Sequence, residues 1–224
     1  MKKVIFIILI SIFFGIACSC QSSSTKIIKG VTNSMELIVE YGEHWQEKMK
    51  VFIFSVKKTP QMAVWIEDDQ GRYITTITAT SKSVQNKWKG AQKEGRPEAL
   101  PVWNHKRGGQ ASNEIDIVSS ASLKGPIEKI FPDDLLIDGN TYNVYLEVNH
   151  SFDYNQYWTD NNSGVNGQPS LVYHAQFIAG HLDNISLVPI GYGSVDGSNE
   201  VISTGLENFT TALSIVKNVK LVNK

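Results

Sequence analysis

Cysteine is almost missing from this sequence: among 224 residues only Cys18 and Cys20 carry a thiol, and both fall near the start. The body that follows has none, which excludes a disulfide framework and a thiolate metal site. Charge of one sign is also lacking, with 21 Lys and Arg against 22 Asp and Glu. Such a chain has no basic excess to neutralise phosphates, so nucleic acid is excluded as a partner. No long stretch repeats with helical period, apart from a short turn around "SVQNKWKGAQK", so a helical bundle is excluded. Internal repeats of roughly 20 to 50 residues are missing as well.

The usual signatures of catalysis and metal binding are equally scarce. There is no G-x-S-x-G, and S-x-x-K fails in "SSASLK" because Ala121, not a serine, stands three residues before Lys124. His44, His105, His150, His174 and His181 show neither H-E-x-x-H nor H-x-H spacing. Counting a calcium loop from Asp153 puts Tyr157, Trp158 and Gly164 where an EF-hand needs an oxygen ligand, a glycine and a glutamate. Asp153, Asn155 and Asp160 are therefore read as turn-shaping residues. Glu67, Asp68 and Asp69 are neighbours along a turn and do not make a catalytic carboxylate pair. The chain is expected to hold no metal and to catalyse no reaction of its own.

What is present begins with Lys2 and Lys3 and the apolar run "VIFIILISIFFGIA", Val4 to Ala17. This reads as a secretory signal peptide over residues 1–17, since a membrane span needs roughly 20 apolar residues. The continuation "GIACSCQSSS" resembles a bacterial lipoprotein signal, a small residue preceding a cysteine. The resemblance implies lipid on Cys18, with Cys20 as the rival anchor, and hence an extracytoplasmic protein held to a membrane. Removing residues 1–17 takes away Lys2 and Lys3, leaving 19 basic against 22 acidic residues, a net charge of −3. Residues 18–30 form a polar tether.

Residues 31–224 are expected to be one domain. "MELIVEYG", "KVFIFSV", "MAVWIED", "RYITTITAT", "TYNVYLEVN", "SLVYHAQFI", "ISLVPIGYG" and "ALSIVKNVKLV" alternate with period two and are rich in β-branched and aromatic residues, so each predicts a strand. "DDQG" and "DGN" supply turn signals between them. The expected class is all-β, an antiparallel β-sandwich of immunoglobulin-like type, with a closed barrel as the alternative. One segment breaks the pattern. Near 93–132 the chain carries Pro97, Pro101, Pro126, Pro132, Gly95, Gly108, Gly109 and Gly125, and reads as a long functional loop.

That segment contains "DIVSSAS", Asp116 to Ser122. A serine hydroxyl needs an adjacent base to act as a nucleophile, and none lies within the motif, so an outside enzyme would have to activate it. The stretch resembles the acceptor motif of covalently flavinylated proteins: Asp, two residues, Ser or Thr, Gly, Ala, then Thr or Ser. In those proteins an extracytoplasmic, magnesium-dependent flavin transferase moves FMN from FAD onto the last hydroxyl. The resemblance implies FMN on Ser122, with Asp116, Ser119 and Ala121 as recognition residues; Ser120 departs from the usual glycine and Ser122 from the commoner threonine. Lys124, Lys106 or Arg107 would meet the phosphate and Trp103 would stack on the ring.

A wider likeness runs through "PQMAVWIEDDQGRYITTI", "RPEALPVWNHKRG", "DIVSSASLKG", "YNVYLEVNHSFDYNQYW" and "GQPSLVYHAQF". Together these resemble an uncharacterised family of predicted periplasmic, β-rich proteins that accompany flavin transferases and membrane redox proteins. The resemblance implies a redox partner or electron carrier bearing FMN. The alternative from the residues themselves is a cofactor-free structural or ligand-binding lipoprotein, with Tyr154, Tyr157 and Trp158 beside amides and acids as a platform for carbohydrate.

Overall fold

The period-two alternation folds into two antiparallel sheets laid face to face. The computed structural model describes residues 35–51, 54–88, 95–108, 117–118, 126–131, 135–181 and 184–223. In chain order the strands are β1 (Met35–Tyr41), β2 (Glu47–Val51), β3 (Phe54–Lys58), β4 (Gln61–Asp68), β5 (Tyr73–Thr80), β6 (Ile117–Val118), β7 (Ile127–Ile130), β8 (Thr141–Asn149), β9 (Leu171–Ile178), β10 (Ile185–Ser186), β11 (Val188–Tyr192) and β12 (Val216–Asn223). Among the described residues three short α-helices accompany them: α1 (Ser81–Gln85), α2 (Pro101–Lys106) and α3 (Asp160–Ser163).

One sheet has the order β10-β12-β1-β7 and the other β11-β9-β8-β4-β5-β6, while β2 and β3 pair as a separate hairpin. The described strands thus make a sandwich and not a closed barrel. Every pair among them is antiparallel except β5 with β6, where Ala79 and Thr80 lie beside Ile117 and Val118. Residues Thr32–Lys224 form one compact unit; Met1–Val31, a separate unit, lies outside the described residues.

The turn chemistry accounts for the tightest connection. Asp68 Oδ1 accepts the backbone N–H groups of Gln70 (3.0 Å) and Arg72 (2.9 Å), and Gly71 takes φ +75°, a region closed to most side chains. The main core lies between the sheets: Leu37, Val39 and Leu221 face Met62, Val64, Val144, Leu146 and Leu171, all fully buried. Each such side chain contributes about 1.5 to 3 kcal/mol by leaving water.

A second core covers the other face of the six-stranded sheet. Ala63, Trp65, Ala79 and Val172 pack there against Val84, Leu100, Val102 and Trp103. β4 is consequently buried on both faces.

Three expectations change. "KVFIFSV" is not one strand, because Val51 pairs back onto Phe54 in the β2–β3 hairpin. "ISLVPIGYG" divides between the sheets, β10 joining β12 and β11 joining β9, with Leu187 N–H bonded to Val219 O (2.9 Å) at the crossing. The segment 93–132, read as loop, contains α2, β6 and β7 among its described residues.

Candidate functional site

The outward face of the large sheet is laid out in cross-strand rows by the register of β4, β8 and β9. Ala63, Glu147 and Val172 make one row, Trp65, Tyr145 and His174 the next, and Glu67, Asn143 and Gln176 the third. In the middle row the rings form a ladder: Trp65 and Tyr145 stack with centroids 5.1 Å apart, and Tyr145 lies 4.7 Å from His174. Opposed aromatic residues on one sheet face interact directly, which fixes their rotamers.

The polar rows hold this ladder from both sides. Glu67 Oε1 accepts the Trp65 indole N–H at 2.9 Å, and the His174 ring donates from Nε2 to Asn143 Oδ1, also at 2.9 Å. Burial pushes the Tyr145 phenol up to about 12, assisted by the negative charge of Glu67, so it stays a neutral hydroxyl in ordinary buffers. His174 is held below the usual histidine range by burial, which favours its neutral form.

Glu147, in the first row, is fully buried and caps α2 from outside the helix. Its Oε2 accepts Trp103 N–H (2.8 Å), while Oε1 accepts Ser170 Oγ–H (2.6 Å) and Val102 N–H (3.3 Å). Pro101 starts the helix and has no N–H to satisfy, so the carboxylate meets the next two orphan donors. Desolvation pushes Glu147 up to about 7 against the pull of these hydrogen bonds. The chain passes so close here that a Cβ on Gly193 would lie 2.6 Å from Pro101 Cγ and 2.8 Å from Glu147 Oε1, so only glycine fits.

Further contacts fix the rest of α2. Lys106 Nζ reaches Glu67 Oε2 and Gly71 O, each at 3.3 Å. His105 donates from Nε2 to Gly197 O at 2.9 Å, tying the helix to the loop that follows β11. That loop is braced internally, since Asp196 Oδ1 accepts Ser194 Oγ–H (2.5 Å) and Ser198 N–H (3.0 Å). The Ser194 and Ser198 bonds hold the Asp196 carboxyl down at about 2.

Sheet, helix and loop form a half-open pocket of about 320 Å³, lined by Trp65, Glu67, Val102, Lys106, Tyr145, Glu200, Val201 and Ile202.

Of the residues singled out from sequence, Cys18, Asp116, Ser119, Ala121, Ser122 and Lys124 lie outside the described residues. The two residues between Asp116 and Ser119 are described, as β6. Trp103 is a core residue: it is fully buried, its indole N–H donates to Thr76 Oγ1 (2.8 Å), and the Arg107 guanidinium lies 4.3 Å from its ring centroid. A ring so enclosed is already stacked and has no face to offer a flavin, which corrects the role drawn for it. The Arg107 guanidinium lies over the Trp103 ring, and Lys106 lines the pocket.

The aromatic platform is also altered. Tyr154 and Tyr157 are 42% and 52% exposed, but Trp158 is in the core at 7% and Phe152, at 46%, joins the exposed pair. Asn155 Oδ1 accepts Tyr157 N–H and Trp158 N–H, and Asp153 Oδ1 accepts Thr211 Oγ–H, so both side chains shape local structure. His150, just past the end of β8, is buried against Trp45 O (3.3 Å), whereas His174 lies opposite Tyr145 in the middle of that strand and bonds to Asn143. Among the described residues no group of three His, Cys, Asp or Glu is placed to hold a metal ion.

Sequence reasoning missed Glu67 and Glu147. The signal was present in "VWIED" and "YLEVN": each glutamate stands two residues from an aromatic on the same strand face. No family model, curated protein or solved structure matches the chain. The family likeness therefore rests on the quoted residues alone.

Proposed function

We infer that the protein is an extracytoplasmic lipoprotein, anchored through Cys18, that carries FMN on Ser122 and exchanges electrons with membrane redox proteins. In the loading reaction the Ser122 hydroxyl attacks the FMN phosphorus of FAD. A phosphoester bond forms, the pyrophosphate bond breaks, AMP leaves, and the hydroxyl proton passes to a base of the flavin transferase. The protein contributes the acceptor and not the catalysis.

The observation that carries this reading is the position of β6. Ile117–Val118, inside the acceptor motif, pair with β5 alone, at the end of the six-stranded order. A segment at a sheet edge pairs with sheet on one side only, and edge segments are where another protein's cleft can approach a strand. Coexpression with a flavin transferase followed by intact-mass measurement tests it. An FMN-sized increment that disappears in Ser122→Ala is expected; no increment, or one that survives the substitution, refutes the reading.

A second reading has its own observation. Phe152 holds φ +60°, a strained conformation for a bulky residue, and stands exposed beside Tyr154. Tyr157, Asp160 and Asn161, also exposed, lie close by in sequence, and exposed rings beside polar side chains suit the apolar faces and hydroxyls of carbohydrate. A glycan array in which binding falls on Tyr154→Ala and Tyr157→Ala supports it, and an array without binding rules it out.

A further inference from the structure

The outer-face pocket has binding capacity that its own walls leave unused. Lys106 Nζ carries three N–H donors and gives one to Glu67 Oε2 and one to Gly71 O, which leaves one. Each oxygen of Glu67 has a partner, Trp65 for one and Lys106 for the other. Glu200 is exposed and makes no hydrogen bond or ion pair among the described residues. Between these charges the walls are apolar, formed by Val102, Val201 and Ile202 with the rings of Trp65 and Tyr145.

We propose that this pocket binds a free amino acid with an aromatic or large aliphatic side chain. Its carboxylate takes the remaining Lys106 donor, its ammonium meets Glu200, and its side chain lies against Val102, Ile202 and the two rings. Lys106 and Glu67 pair with each other, so the unmatched charge among the lining residues is that of Glu200, which the ligand's ammonium answers. A simple anion would use the third Lys106 donor but face Glu67 and Glu200, and a simple cation would pair with Glu200 but leave that donor unused; a ligand bearing both groups uses both. The Tyr145 hydroxyl, which makes no bond of its own among the described residues, adds a donor and acceptor.

Size agrees with this class. About 320 Å³ is at the small end of ligand pockets, enough for one amino acid. The walls are set before binding: α2 is capped by Glu147, His105 holds Gly197 O, and Val201 N–H is bonded to Asn199 Oδ1 at 2.9 Å. A preformed site spends little affinity on ordering. The proposal does not depend on the FMN reading, because it rests on Lys106, Glu200 and the apolar walls and uses no residue of the acceptor motif.

Isothermal titration calorimetry of the full chain with three probes tests it: L-phenylalanine, phenethylamine, which keeps only the ammonium, and hydrocinnamate, which keeps only the carboxylate. Phenylalanine is expected to bind, with each singly charged analogue weaker by about tenfold or more, the factor for one lost charged contact. Glu200→Gln, an exposed and structurally neutral change, should weaken phenylalanine toward hydrocinnamate, while hydrocinnamate itself, relieved of a like charge, should bind no more weakly than before. Ile202→Trp should fill the pocket and remove binding of all three. Absence of binding by phenylalanine, equal affinity for the three probes, or phenylalanine binding untouched by both substitutions would each overturn the proposal.

Discussion

The six-stranded sheet shows two faces made from alternate residues of the same strands, and they differ in kind. Inward, Met62, Val64, Ile66, Val144, Leu146 and Leu171 meet the four-stranded sheet with apolar side chains that need no hydrogen-bond partner. Outward, Trp65, Glu67, Asn143, Tyr145, Glu147 and His174 are as closely covered in places, yet nearly every polar atom has a named partner. The inner face asks only for volume and shape. The outer face asks for particular atoms in particular places, since a buried polar group without its partner is costly. Stability and chemistry are thus separated by one residue of register.

Truncation of the inner face should have the largest effect. Leu146→Ala, at a fully buried position, is expected to cost about 2 to 5 kcal/mol in denaturant unfolding, through lost transfer energy and the cavity left behind. Phenylalanine affinity of the folded fraction should not change. If it does, the two faces are coupled and the comparison fails.

Next in size is a pH effect confined to the outer face. Glu147 is raised from 4.5 to about 7, so the folded state holds its proton more tightly than the unfolded one. Its contribution to stability is complete below pH 4.5 and is lost as pH rises to 7, an amount on the order of 3 kcal/mol. The stability difference between the parent protein and Glu147→Gln should shrink or reverse across that window. His150 runs the other way: lowered from 6.5 to about 4, it stabilises above 6.5 and loses that contribution as pH falls toward 4. Only the difference between parent and variant isolates Glu147, and a flat difference would contradict its placement.

A smaller loss is expected from Lys106→Met, which leaves Glu67 Oε2 without its ammonium. About 1 to 3 kcal/mol is predicted, falling in a Glu67→Gln background because the unpaired charge is then gone. Equal losses in both backgrounds would show that the ion pair is incidental. Smallest of all, Tyr157→Ser should change stability by no more than about 0.5 kcal/mol, since the ring is exposed.

The inner face was legible in the sequence because period two is all it requires: "NVYLEVN" and "AVWIED" alternate plainly. Burial of the second face was not. Glu67 and Glu147 look like the solvated members of alternating strands, and only α2 and the loop after β11, distant in sequence, reveal what covers them. The helix itself had a local signature in "LPVWNHKRG": proline at the first position, basic residues in the last turn, and a glycine after it with φ +56°. Proline and glycine counted over the longer segment suggested loop instead. Trp103 illustrates the same limit, for a tryptophan among turn residues gives no sign of which core it enters.

The account depends most on Ser122. Trypsin should release Gly108–Lys124 as one peptide, since no Lys or Arg lies between Arg107 and Lys124, and it contains Ser112, Ser119, Ser120 and Ser122. Fragmentation of this peptide, from protein coexpressed with a flavin transferase, locates any FMN to a single hydroxyl. The prediction is an FMN-sized increment on Ser122 alone; an unmodified peptide, or an increment on another residue, would contradict it.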